Sequence, residues 1–222
     1  MKSIFLPAII VFYVVYLVIM GLGLKEYNYF LKPLLIPSLI LYVFISNNFK
    51  SKGALISALT LSTLGDVLLL FTEEGPLYFI MGLVAFLTAH LFYIFIFFNK
   101  IKTNFPKQGV GISTSLIVVY LMVLLNTMWD KLDEMKIPVV IYAVVISSML
   151  WLAIRIYFQN YSKNALIILL GALFFVISDS TLAWNMFYQP VPSGSLIIMS
   201  TYLAAQTLLV IGLMGEKSEV KD

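Results

Sequence analysis

Two aspartates, Asp66 and Asp179, lie inside long apolar runs, in the stretches LSTLGDVLLL and FVISDSTLAW. An ionisable group at mid-membrane depth costs several kcal/mol on insertion scales, so each is a functional candidate by default. Two carboxylates sharing one low-dielectric level are not both ionised at neutral pH, which leaves a protonated acid beside an ionised partner. That is the pair acid–base catalysis needs. The structural alternative is that each Asp accepts hydrogen bonds from neighbouring helices and locks their packing.

The elements that must position these acids read as membrane spans. Of 222 residues, 61% are apolar and 11% charged, and the mean hydropathy is +1.00. Soluble domains carry roughly a quarter charged residues. Apolar runs cover about 4–24, 30–47, 53–72, 77–98, 110–129, 138–158, 165–187 and 195–214. They predict an all-α polytopic membrane protein, a bundle of about eight transmembrane helices. Residues 1–215 are expected to form a single transmembrane domain, followed by a short polar cytoplasmic tail at 216–222. The first run is longer than a signal-peptide core and lacks a small-x-small cleavage site behind it, so it reads as a retained helix. Pro76, Pro106, Pro138, Pro190 and Pro192 punctuate the gaps, whereas Pro33 and Pro37 fall inside the second run, where they should bend it and free carbonyls.

Assigning Lys and Arg to alternate sides gives a strong bias. Lys2, Lys50, Lys52, Lys100, Lys102, Lys107, Arg155, Lys163, Lys217 and Lys221 fall on one side, and Lys25, Lys32, Lys131 and Lys136 on the other. Ten against four predicts a multi-pass protein of the cell (inner) membrane with both termini cytoplasmic. Asp66 then lies 14 residues beyond Lys52, and Asp179 16 beyond Lys163. These offsets are roughly 21 and 24 Å along the helix axes, a matching depth in the outward half. The third and seventh runs occupy equivalent places in two four-helix halves, as an old duplication or two independent needs for an Asp would leave them. Lys32, Tyr142, Tyr202 and Gln206 are expected near the same level, the last two sharing a face at i,i+4. Lys32 also suits an interface lysine, and the tyrosines suit belt or packing positions. His90, i,i+3 to Tyr93, falls nearer the cytoplasmic half as a packing or catalytic histidine. Arg155 reads as a snorkelling anchor.

Composition removes several function classes. With no cysteine and one histidine there is neither a thiolate site nor a zinc cage, and no cofactor or metal is expected. The basic residues are scattered among the gaps, as topology signals are, so no nucleic-acid partner is expected. An intramembrane aspartyl protease would carry a GxGD element and a Pro-Ala-Leu run, and neither occurs. A small proton- or cation-coupled transporter also uses intramembrane aspartates and is the main alternative to an enzyme.

The segments KPLLIPSL (32–39), LSTLGDVLLL (61–70), FIMGLVAFLTAHLFY (79–93), PVVIYAVVI (138–146), GALFFVISDSTLA (171–183) and YLAAQTLL (202–209) resemble the YhhN-like lysoplasmalogenase family over six of the eight runs, in order. The resemblance implies a membrane-embedded hydrolase that cleaves the vinyl-ether bond of a lysoplasmalogen, with a lysophospholipid as substrate and the bilayer as its environment. It implies Asp66 and Asp179 as catalytic, supported by Lys32, His90, Tyr142, Ser178, Tyr202 and Gln206. The residue types suit that chemistry. An enol ether is cleaved by proton delivery to its β-carbon, and water captures the resulting oxocarbenium ion, much as in glycoside hydrolysis.

Overall fold

Each apolar run becomes a helix. The structure is a computed structural model that describes residues 2–101 and 110–215; Lys102, Pro106, Lys107 and the tail 216–222, with Lys217 and Lys221, lie outside the described residues. Among the described residues there are eight α-helices: α1 (Lys2–Gly21), α2 (Asn28–Phe44), α3 (Lys52–Leu68), α4 (Pro76–Phe98), α5 (Val110–Met128), α6 (Lys136–Asn160), α7 (Lys163–Phe187) and α8 (Gly194–Gly215). Seven are long and apolar enough to cross a membrane, α3 once the 3-10 segment Leu69–Glu74 that prolongs it is included. The eighth, α2, has 17 residues. Its rise of about 26 Å falls slightly short of a hydrocarbon core of about 30 Å.

Local chemistry sets the boundaries. Gly23, at φ +77, follows α1. Pro76 opens α4, where its missing N–H has no intrahelical partner to lose. Tyr161 ends α6 in a left-handed conformation, and the Ser162 hydroxyl then accepts from the Ala165 N–H to cap α7. Large apolar side chains such as Phe30, Phe95, Leu116 and Val123 point outward, the inverse of a water-soluble surface. The outward-facing share differs between helices: 11% of the α5 span is buried against 56% of the α8 span, so most of α5 lies outside the core.

The chain divides into two compact units, one built on the residues up to Tyr93 and the other on Ile94–Leu213. In the first, α2 packs against both α1 and α3. Lys52 donates to the carbonyls of Phe44 and Ser46, both at 2.8 Å, and so tethers the C-terminal end of α2 to the start of α3. Pro33 and Pro37 sit within α2, which remains helical through both. In the turn between them the Leu35 carbonyl accepts from Tyr13 on α1 (3.0 Å) and from Ser38 (2.5 Å). A Cβ at Gly65 would lie 2.6 Å from the Phe86 ring, and one at Gly82 2.9 Å from Leu69, so glycine on each helix lets α3 and α4 meet closely.

In the second unit α6 packs against α5 and α7. Trp151 Nε1 donates to Thr114 Oγ1 at 2.9 Å, joining α6 to α5. Between α7 and α8, a Cβ at Gly171 would come within 3.0 Å of the Leu209 nitrogen, and one at Gly212 within 3.0 Å of the Ile168 nitrogen. Met128, Leu132 and Val139 form a buried apolar cluster with Phe187 and Tyr188 packed against it. Lys131 stacks over the Tyr188 ring and donates to its carbonyl at 2.9 Å.

Candidate active site

Asp66 is 3% exposed, and its carboxylate lies 3.6 Å from Lys32 Nζ, an ion pair between α3 and α2. Lys32 is in the first turns of α2, so its ammonium reaches the acid from the helix start. The pairing supplies the counter-charge that a buried carboxylate requires. The preceding residue, Gly65, is where Phe86 seats against α3, so the Gly-Asp element combines a docking position with the acid. Two tyrosines of α1, Tyr13 and Tyr16, are close enough to Asp66 to feel its charge.

Asp179 is half-buried on α7, and its Oδ2 accepts a hydrogen bond from the Tyr142 hydroxyl on α6. Tyr120 on α5 also feels the Asp179 charge. Its hydroxyl lies 2.5 Å from Ser180 Oγ, and Ser180 itself donates to the Val176 carbonyl, which leaves the phenol as the donor. The residue before the acid, Ser178, donates to the Ile198 carbonyl at 3.1 Å and pins α7 to α8.

The helix registers locate the other candidates. Tyr202 packs edge-on against Phe175 at 5.6 Å, one turn before Asp179 on α7. Gln206 is fully buried. The approaches of Gly171 to Leu209 and of Ser178 to Ile198 put Gln206 level with the turn between Gly171 and Phe175, more than one turn short of Asp179. His90 is fully buried on α4. It lies one turn past Phe86, and in the antiparallel register that is about 5 Å beyond the Gly65 level. Arg155 stacks over Trp151 at 4.8 Å. Residue type alone does not single out Tyr13, Tyr16 and Tyr120. A tyrosine inside an apolar run reads as packing until the rotation of its helix is known, and a depth matching the acid was the only signal available.

Residues 27–213 match the model of the YhhN family. The chain is 34% identical to the human protein named lysoplasmalogenase TMEM86B over 157 residues, 69% of this chain and 60% of that protein. It is 31% identical to human lysoplasmalogenase TMEM86A over 168 residues, 73% of this chain and 66% of that protein. It is 26% identical to the membrane protein YhhN of Escherichia coli O157:H7 over 182 residues, 81% and 83% of the two chains. The matched part thus spans somewhat less than two thirds of the two human proteins. No solved structure matches. With seven helices of membrane length and a relative named as a membrane protein, the chain is an integral multi-pass membrane protein.

Proposed function

The chain belongs to the YhhN family, and from that premise we propose that it hydrolyses the vinyl-ether bond of a lysoplasmalogen, in the cell (inner) membrane with both termini cytoplasmic. The names of the mammalian relatives support this reaction. So does the chemistry of the two acids, and the observation that carries the division of labour is their unlike partners. Beside the Lys32 ammonium, Asp66 is held as a carboxylate. Asp179 accepts from the neutral phenol of Tyr142, so protonating it breaks no ion pair with that partner, and it takes up the proton that it then delivers.

Asp179 delivers its proton to the β-carbon of the enol ether, and the adjacent carbon becomes an oxocarbenium ion. The Asp66 carboxylate stabilises that cation and takes a proton from the water that adds to it. The hemiacetal then collapses: the bond between the former vinyl carbon and the glycerol oxygen breaks as Asp66 returns its proton to that oxygen, and Asp179 takes the hemiacetal O–H proton, which restores both acids. The products are a fatty aldehyde and a glycerophospho-ethanolamine or -choline, with one water consumed. Tyr142 positions the Asp179 carboxyl, and Ser178 fixes the helix that bears it. Lys32 has N–H donors remaining for the lipid phosphate. Tyr202 and Gln206 support α7 from α8, and His90 supports α3 from α4, each a turn or more from the acid. Proton, water and carboxyls suffice, so no cofactor or metal is needed.

The test is aldehyde release from lysoplasmenyl-ethanolamine by the purified protein in detergent, run in 18O-enriched water. The expected result is aldehyde with an unlabelled glycerol hydroxyl, because the bond broken is on the vinyl side. No aldehyde, or label in the glycerol, refutes the reaction. Substrate accumulation in vesicles with no product would favour the transporter.

A further inference from the structure

Helix α1 lies before the segment that matches the family, yet it packs on α2, whose Lys32 pairs with Asp66. Ile9, Tyr13 and Tyr16 form its buried stripe, spaced i, i+4 and i+7. The two tyrosines are used differently. Tyr13 donates to the Leu35 carbonyl at 3.0 Å and lies 3.5 Å from Ser38 Oγ, so its hydroxyl is committed to holding α1 on α2. Tyr16 is 1% exposed, and its hydroxyl, also buried, has no hydrogen-bond partner among the described residues. A phenol serves packing no better than phenylalanine and carries the desolvation cost of its hydroxyl, so an unmatched one in a core calls for a partner that arrives from outside. Along the α1–α2 pair, Tyr16 lies one turn beyond the contact of Tyr13 with Leu35, at the level of Lys32, which pairs with Asp66, and that placement defines what the partner can be. An oxygen that donates to Asp66 and accepts from Tyr16 satisfies both, and a hydroxyl or a water does this where a carbonyl or a phosphate oxygen cannot.

We propose that the Tyr16 hydroxyl is a further binding group for the substrates of hydrolysis, holding with Asp66 one hydroxylic oxygen, either the free glycerol hydroxyl of the lysolipid or the water consumed. The inference rests on the vinyl-ether hydrolase reading above and adds a residue to it. It also gives α1 a function beyond anchoring.

The experiment compares wild type, Tyr16→Phe and Tyr13→Phe in detergent. Each is assayed for kcat, KM and melting temperature on lysoplasmenyl-ethanolamine and on its analogue lacking the glycerol hydroxyl. Tyr16→Phe is expected to keep or raise the melting temperature, because it removes an unmatched buried hydroxyl, and to lower kcat/KM about tenfold. Tyr13→Phe is expected to melt lower while keeping its turnover. A loss in Tyr16→Phe that disappears on the deoxy analogue and resides in KM identifies the glycerol hydroxyl. A loss that persists on both substrates and resides in kcat identifies the water. Undiminished activity of Tyr16→Phe on both substrates overturns the inference while leaving the hydrolase standing. A melting temperature lowered in step with activity overturns it in favour of packing. An inactive wild type refutes the hydrolase reading, and this inference with it.

Discussion

Asp66 and Asp179 stand on α3 and α7, each one residue after the position that docks its helix on the next. Gly65 makes room for the Phe86 ring of α4, and Ser178 donates to the Ile198 carbonyl of α8. Each acid is met by a side chain from the first turns of the preceding helix, Lys32 on α2 and Tyr142 on α6. Each is also felt by tyrosines from the helix before that, Tyr13 and Tyr16 on α1 and Tyr120 on α5. The plan is shared but the chemistry is not. One acid is sealed and charge-paired, and the other is half-buried and hydrogen-bonded by a neutral phenol. Protonation would cost Asp66 its ion pair with Lys32, whereas at Asp179 it would alter a hydrogen bond with a neutral phenol.

The widest difference should appear when each acid becomes its amide. Asp66→Asn strands the Lys32 ammonium at a largely buried position and should lower stability by about 3 kcal/mol. Asp179→Asn leaves Tyr142 an amide oxygen to donate to and should cost about 1 kcal/mol or less. Chemical unfolding of the two variants in detergent measures this directly, and equal losses would erase the distinction between the clusters. Lys32→Met beside Asp66→Asn should recover most of the loss, since no buried charge then remains unmatched.

Next in size are the docking glycines. Gly171→Ala puts a methyl 3.0 Å from a backbone nitrogen, which can yield only by parting α7 from α8, and should cost about 2 kcal/mol. Gly65→Ala meets only a ring, 2.6 Å away, and Phe86→Leu should relieve it. A Gly171→Ala variant as stable as the parent would show that the α7–α8 approach is looser than described. The smallest effects belong to single hydrogen bonds. Tyr142→Phe should lower kcat about tenfold by freeing the Asp179 carboxyl, while Ser178→Ala should cost about 1 kcal/mol of stability and leave turnover near the parent value. Stability curves and rates measured on the same preparations separate the two.

Much of this was legible in the residues. The eight helices fall within a few residues of the apolar runs, because hydrocarbon thickness and proline or glycine punctuation leave little freedom in where a span begins and ends. Asp66 and Asp179 stood out because a charge in an apolar run is costly enough to need a reason. What depended on helix rotation was not legible. Lys32 and Tyr142 are legible as candidate neighbours of the acids, but which acid each one meets is not. Gln206 shares a face with Tyr202, but the α7–α8 register carries it more than a turn away from Asp179. The role of Gly65 is invisible until Phe86 arrives from α4, since a missing side chain shows only through what occupies its space.

The most direct measurement of the central claim is the turnover of lysoplasmenyl-ethanolamine by Asp66→Asn, Asp179→Asn and the double variant, each confirmed folded by its unfolding transition. If the two acids share one reaction as carboxylate and proton donor, each single variant should lose about a thousandfold in kcat, and the double variant should be scarcely worse than either. A folded single variant that retains its turnover would contradict the account.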